Sequence, residues 1–69
     1  MKTYVDWYLE SGKKIDKKFL KWISKVENKV MLFYGMTLLD LPDEDYMDNF
    51  KLNTSPERMV DIIFENNKI

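Results

Sequence analysis

The sequence contains no cysteine and no histidine. No disulfide can staple the fold, and the side chains that most often hold zinc, haem iron or iron–sulfur clusters are missing. The commonest general base near neutral pH goes with them. Ser11, Ser24 and Ser55 have no histidine to activate them, so nucleophilic catalysis lacks its parts. Several acids could be paired for acid–base work, but 69 residues leave little room for a water-excluding pocket. The expectation is a protein that is not an enzyme and carries no cofactor or metal.

Glycine and proline are also scarce, at two residues each. There is little loop and no linker, so residues 1–69 read as one domain and composition argues against disorder. No stretch approaches the roughly 20 apolar residues of a membrane span. Charges at Asp6 and Glu10 interrupt any signal-peptide-like run near the N-terminus. A soluble, cytoplasmic protein is therefore expected.

What the chain does have is apolar bulk. Hydrophobic residues make up 45% of it, including two Trp, four Tyr and four Phe. That matters at this length, near the lower limit at which a core alone sustains a fold. Ordering the chain opposes folding by on the order of 100 kcal/mol, at about 1.5 kcal/mol per residue. Either the core is dense or a partner helps.

Charge is uneven along the chain. Residues 1–34 carry eight Lys against Asp6, Glu10, Asp16 and Glu27, a balance of +4. Residues 35–69 carry Lys51, Arg58 and Lys68 against eight acids, a balance of −5, which gives the net −1. Such asymmetry marks an interaction surface or closes on itself within the fold.

Four helical segments are legible. The first spans about Tyr4 to Ser11, with Thr3 as cap, Asp6 in a box-like role and Gly12 suited to the left-handed exit. The second spans about Lys14 or Asp16 to Tyr34 and ends at Gly35. In it Ile15, Phe19, Trp22, Ile23, Val26, Val30 and Phe33 recur every three or four residues, which predicts one apolar face. Lys14, Lys18, Lys21, Lys25 and Lys29 form a stripe on one flank of that face, and Asp16 and Glu27 fall on the other. Pro42 disfavours a helical Leu41, so a capped turn over residues 35–43 changes the chain's direction. A short helix from about Glu44 to Phe50 follows, with Tyr46, Met47 and Phe50 inward. Ser55 and Pro56 then open a last helix reaching about Asn66. Its Met59, Val60, Ile62, Ile63 and Phe64 cover a wider arc than one core contact needs.

The pattern Gly35-x-Thr37-x-x-Asp40-Leu41-Pro42-Asp43-x-x-Tyr46-x-x-x-Phe50, followed by Ser55-Pro56 and a helix, resembles a family of short uncharacterised bacterial and phage proteins. The similarity spans about residues 24–66. Met36 stands where the family usually has Leu, and Asn53 stands where Gly usually precedes Ser-Pro; Asn tolerates the left-handed conformation that turn needs. The resemblance implies a helical fold and a phage or mobile-element context, and it implies no mechanism.

Two charged constellations remain. Asp40, Asp43, Glu44, Asp45 and Asp48 invite a calcium-loop reading, but a loop starting at Asp43 puts Met47 and Thr54 on ligand positions. Starting at Asp40 puts Pro42 on the third position, so both registers fail. The acids read instead as helix N-terminal caps, with an acidic contact surface as their functional alternative. Lys14, Lys18, Lys21, Lys25 and Lys29, with Trp22 among them, suit a surface that tracks a nucleic-acid backbone. Trp22 is equally in phase with the core, and lysine stems commonly shield core edges. A helix-turn-helix built from the last two helices would present Glu57, Asp61 and Glu65 against one Arg58, the wrong sign for phosphates.

These readings converge on an all-α bundle of three to four helices with one long central helix. The leading functional expectation is a small accessory protein of phage or mobile-element type that binds, and inhibits, a host protein. The alternatives are a nucleic-acid-binding module using the lysine stripe and a homodimer whose interface absorbs the last helix.

Overall fold

A computed structural model describes residues 2–66. It is all-helical: α1 (Tyr4–Glu10), α2 (Lys17–Tyr34), a 3₁₀ turn (Leu38–Asp40), α3 (Tyr46–Lys51) and α4 (Pro56–Asn66). The elements start where local chemistry satisfies their free N–H groups. Thr3 and Asp6 close a reciprocal box at α1: the Asp6 N–H donates to Thr3 Oγ1 at 3.1 Å, and the Thr3 N–H to Asp6 Oδ2 at 3.2 Å. Asp16 caps α2 by accepting from the Lys18 and Phe19 N–H groups at 2.9 and 3.1 Å. Ser55 Oγ accepts from the Arg58 N–H at 3.1 Å, ahead of Pro56 at the first position of α4.

The ends are equally determined. Gly35 closes α2 in the left-handed conformation, at φ 66°. α3 ends with Asn53 at φ 60°, where the Thr54 N–H reaches Asn49 O at 3.1 Å and the Asn53 N–H reaches Phe50 O at 3.0 Å. That is a Schellman closure with Asn in the usual Gly position. α3 begins at Tyr46, two residues later than its acid-rich start suggests.

α2 is the spine. Pairs across the α2–α4 contact advance together: the Trp22 Nε1–H donates to Thr54 O at 2.7 Å, Lys29 meets Glu57, and Tyr34 stacks on Phe64 with ring centroids 3.9 Å apart. The two helices therefore run in the same general direction, with the 3₁₀ turn and α3 as the return path. Phe19 anchors the core, meeting Tyr8 and Phe50 edge-on at 5.3 and 5.4 Å. Ile23, Val26, Val30, Met59 and Ile63 are sealed from solvent around it. Each contributes roughly 1.5–3 kcal/mol by leaving water.

Two expectations are corrected. Glu27, expected on the flank of the apolar face away from the lysine stripe, is buried at 2% exposure. Its Oε2 accepts from the Tyr4 N–H at 2.8 Å and the Leu38 N–H at 3.0 Å, and its Oε1 accepts from the Val5 N–H at 3.1 Å. One carboxylate thus caps both α1 and the 3₁₀ turn, and their positive ends compensate its burial. Phe33, expected on the core face, is 68% exposed. It is in phase with the core but sits on the last turn of α2. Leu32, Phe33 and Tyr34 there fan out at 100° steps, so no single neighbour can cover all three.

Replacing Glu27 with Ala leaves three backbone donors without their acceptor in a poorly hydrated site. A loss of about 3 kcal/mol or more is expected, a large part of the total for so small a domain. Glu27→Gln should fall between wild type and Ala, because one oxygen becomes an NH₂ that faces a donor. Urea unfolding followed by the fluorescence of Trp7 and Trp22 checks both, and an unaltered midpoint in Glu27→Ala would refute the role.

Tyr46 is 4% exposed, with its ring edge-on to Tyr4 at 5.2 Å and its hydroxyl buried without a hydrogen-bond partner. Burial, helped by the charge of Glu44, pushes the phenol well above its ordinary value of 10.0. A raised phenol favours the neutral form in the fold, so its contribution is present below pH 10.0 and is lost as pH rises beyond it. Tyr46→Phe should therefore gain about 1 kcal/mol at neutral pH by removing an unpaired buried hydroxyl. It should also lose less stability than wild type between pH 9 and 11. Denaturation midpoints at the two pH values test this.

Candidate functional site

The lysine stripe divides in three dimensions. Lys14 precedes α2 and lies in the connection before the Asp16 cap. Lys29 bridges to Glu57 at 3.3 Å across the α2–α4 contact. Lys18, Lys21 and Lys25 are exposed and have no ion-pair partner among the described residues. Trp22 is half-buried between Phe19 and Phe50, at 6.0 and 5.6 Å, and its N–H is held by Thr54. Its ring is built into the α2–α3–α4 corner and is not a free stacking platform.

The acidic run also separates. Asp40 accepts from the Thr37 N–H at 3.0 Å and so caps the 3₁₀ turn. Asp45 occupies the cap position of α3 without a side-chain bond, and Asp43 and Asp48 are exposed. Glu44 is half-buried. No group of three or more Asp or Glu side chains among the described residues is placed to hold a metal ion. No described helix is long and apolar enough to cross a membrane.

The feature that periodicity did not isolate is an apolar edge where the last turns of α2 lie beside α4. An open groove of about 300 Å³ is lined there by Lys29, Phe33, Tyr34, Glu57, Val60 and Asp61. Its floor is Val60, and its wall is the Tyr34 ring held by Phe64. Phe33 stands at the rim. The sequence carried one signal for this, the over-wide apolar arc of the last helix, but not which part of the arc stayed open.

Charge along the edge is ordered. Lys25 and Lys29 of α2 both act on Glu57 of α4, Lys29 from 3.3 Å, and Asp61 stands one turn further along α4. Glu57 is held below its ordinary value of 4.5, first by its own backbone N–H at the start of α4 and then by Lys29. A depressed carboxyl stabilises the fold above its ordinary value, and that contribution disappears as pH falls through the depressed value. An NMR titration should place the Glu57 midpoint below 4.5. Lys29→Met should raise it only part of the way, because the backbone N–H at the helix end and Lys25 remain; full return to 4.5 would leave neither any part in it.

Compared with known proteins, the chain matches no protein-family model, no curated protein and no solved structure.

Proposed function

We propose that this chain is a small non-enzymatic accessory protein of phage or mobile-element type that acts by binding another protein, with inhibition of a host protein as its effect. The α2–α4 edge is its contact surface in this reading. The observation that carries it is Phe33, 68% exposed beside an apolar groove of about 300 Å³. A chain at the lower size limit for a stable core gains by burying its aromatics. Phe33 is more exposed than the other exposed aromatics, Trp7 at 43% and Tyr34 at 49%, so its place at a groove's rim suits a recognition anchor. The phage and mobile-element context rests on the resemblance of about residues 24–66 described above. Basic residues at Lys18, Lys21 and Lys25 support the alternative, a nucleic-acid surface, but Trp22 and Lys29 are already engaged within the fold.

One capture experiment separates the two. Tagged wild type, Phe33→Glu and a Lys18→Glu/Lys21→Glu/Lys25→Glu triple variant are passed through bacterial lysate at about 0.15 M salt. The expected result is a specific protein retained by wild type and by the triple variant, and reduced about tenfold or more by Phe33→Glu. Loss with the triple variant but not with Phe33→Glu, together with steep salt sensitivity, would transfer the function to the lysine surface. Recovery of no specific protein would count against the proposal.

A further inference from the structure

We infer that the outer face of α2 is a docking surface for an anionic lipid bilayer, on which the chain lies without spanning it. This face is distinct from the α2–α4 edge, and the inference does not depend on the reading of that edge.

Helix geometry gathers the charge. Lys17, Lys18, Lys21 and Lys25 fall within an arc of about 100°, on the side of α2 opposite the sealed Phe19, Val26 and Val30. All four are exposed, as are Lys13 and Lys14 in the connection that leads into the helix. The ion pairs formed among the described residues use Lys2, Lys29 and Arg58 and none of these six. Asp16 is the only acid between residues 11 and 26, and its Oδ1 accepts from the Lys18 and Phe19 N–H groups. Lys25 also acts on Glu57, so the unshared charge runs from Lys13 to Lys21.

This placement opposes the helix's own stability. The first turn of α2 holds Lys17 and Lys18 and no acid. Cations there meet the positive end of the helix and weaken it. The helix end and the lysines around it add to one positive potential, and a dense array of negative charge is what it attracts.

Two apolar side chains decide which array. Leu32, 78% exposed, lies in the same arc as the lysines, about two turns beyond Lys25. Leu52, 76% exposed, stands two residues before Thr54, whose carbonyl is held at 2.7 Å by Trp22 on the flank of this face. A nucleic-acid strand gains nothing from isolated aliphatic side chains. The face offers its bases no arginine and no free ring, since Trp22 is built into the fold. A bilayer takes lysines at its anionic headgroups and aliphatic side chains just below them.

Sedimentation of the full chain with phosphatidylcholine vesicles, with and without phosphatidylserine, tests the inference. Wild type should bind the phosphatidylserine vesicles at about 0.05 M salt, leave them at about 0.5 M and ignore phosphatidylcholine alone. The Lys17→Glu/Lys18→Glu/Lys21→Glu variant should lose about a hundredfold in affinity. Its thermal unfolding midpoint should hold or rise, because acids suit the start of a helix, so lost binding is not lost folding. Leu32→Ser/Leu52→Ser should weaken vesicle binding by about fivefold to tenfold. Wild type that ignores phosphatidylserine vesicles, or binding unaltered by the lysine reversal or by the leucine changes, overturns the inference. Tighter binding to a single-stranded oligonucleotide than to the vesicles, insensitive to the leucine changes, assigns the face to nucleic acid and overturns it as well.

Discussion

One buried carboxylate holds the architecture together. Glu27 accepts a backbone N–H from each of Tyr4, Val5 and Leu38, residues that are 23, 22 and 11 positions away in the chain. Without it, α1 and the 3₁₀ turn would bring Tyr8 and Leu38 into the core while leaving their leading N–H groups unsatisfied. Removing a charge of this kind from water carries a penalty of several kcal/mol. Three charge-assisted bonds and two positive helix ends offset it, each bond at about 1.5–3 kcal/mol. The arrangement also removes alternatives, since α1 can dock only where both of its leading N–H groups find the two oxygens. The Tyr8 hydroxyl, accepting from the Asp16 N–H at 3.0 Å, fixes the other end of α1 against the start of α2.

How much of this could be read from the chain depends on how local the physics is. Caps at Thr3 and Ser55 were legible because donor and acceptor lie within four residues, Thr3 with Asp6 and Ser55 with Arg58, whereas Asp16, read as a possible helix start and a flank residue, is the cap of α2. The left-handed exits at Gly12, Gly35 and Asn53 were legible for the same reason. Glu27 was not, because its partners come from segments whose placement only the folded chain defines. A signal did exist. Glu27 lies four residues after Ile23 and three before Val30, both sealed in the core, so the helical period places it at the margin of the apolar stripe and not opposite it. A charge at that margin is either a shielded stem or a buried acceptor, and spacing alone does not separate them.

The surface was less legible than the fold. A stripe of lysines is read as a property of one helix, whereas Lys14 falls before α2 and the fate of the rest depends on what packs beside that helix. α4 takes Lys29 through Glu57 and α3 with α4 takes Trp22, which leaves Lys18, Lys21 and Lys25 as the part that faces solvent alone. Phe33 illustrates the converse error. Periodicity predicts which side of a helix is apolar, but not where along its length the neighbours stop. Val60 and Asp61 reach the last turn of α2, and nothing among the described residues covers Phe33 beyond them.

The open edge and the small core are two sides of one constraint. A 69-residue chain buries a smaller fraction of its surface than a larger domain and holds a correspondingly thin margin of stability. Leaving an aromatic at 68% exposure forgoes part of the roughly 25 cal/mol per Å² that its burial would contribute. The remaining aromatics are arranged with little waste: Phe19, Trp22 and Phe50 form one cluster, Tyr4 meets Tyr46, and Tyr34 lies flat on Phe64. Trp7 and Tyr34 nonetheless stay 43% and 49% exposed, and Phe33, at 68%, departs furthest. Anything that seats on the edge in the folded state alone adds to stability by mass action, and the gain grows with its concentration. On the reading proposed above, folding and association are coupled: the surface that weakens the isolated domain is the one through which a bound partner would strengthen it.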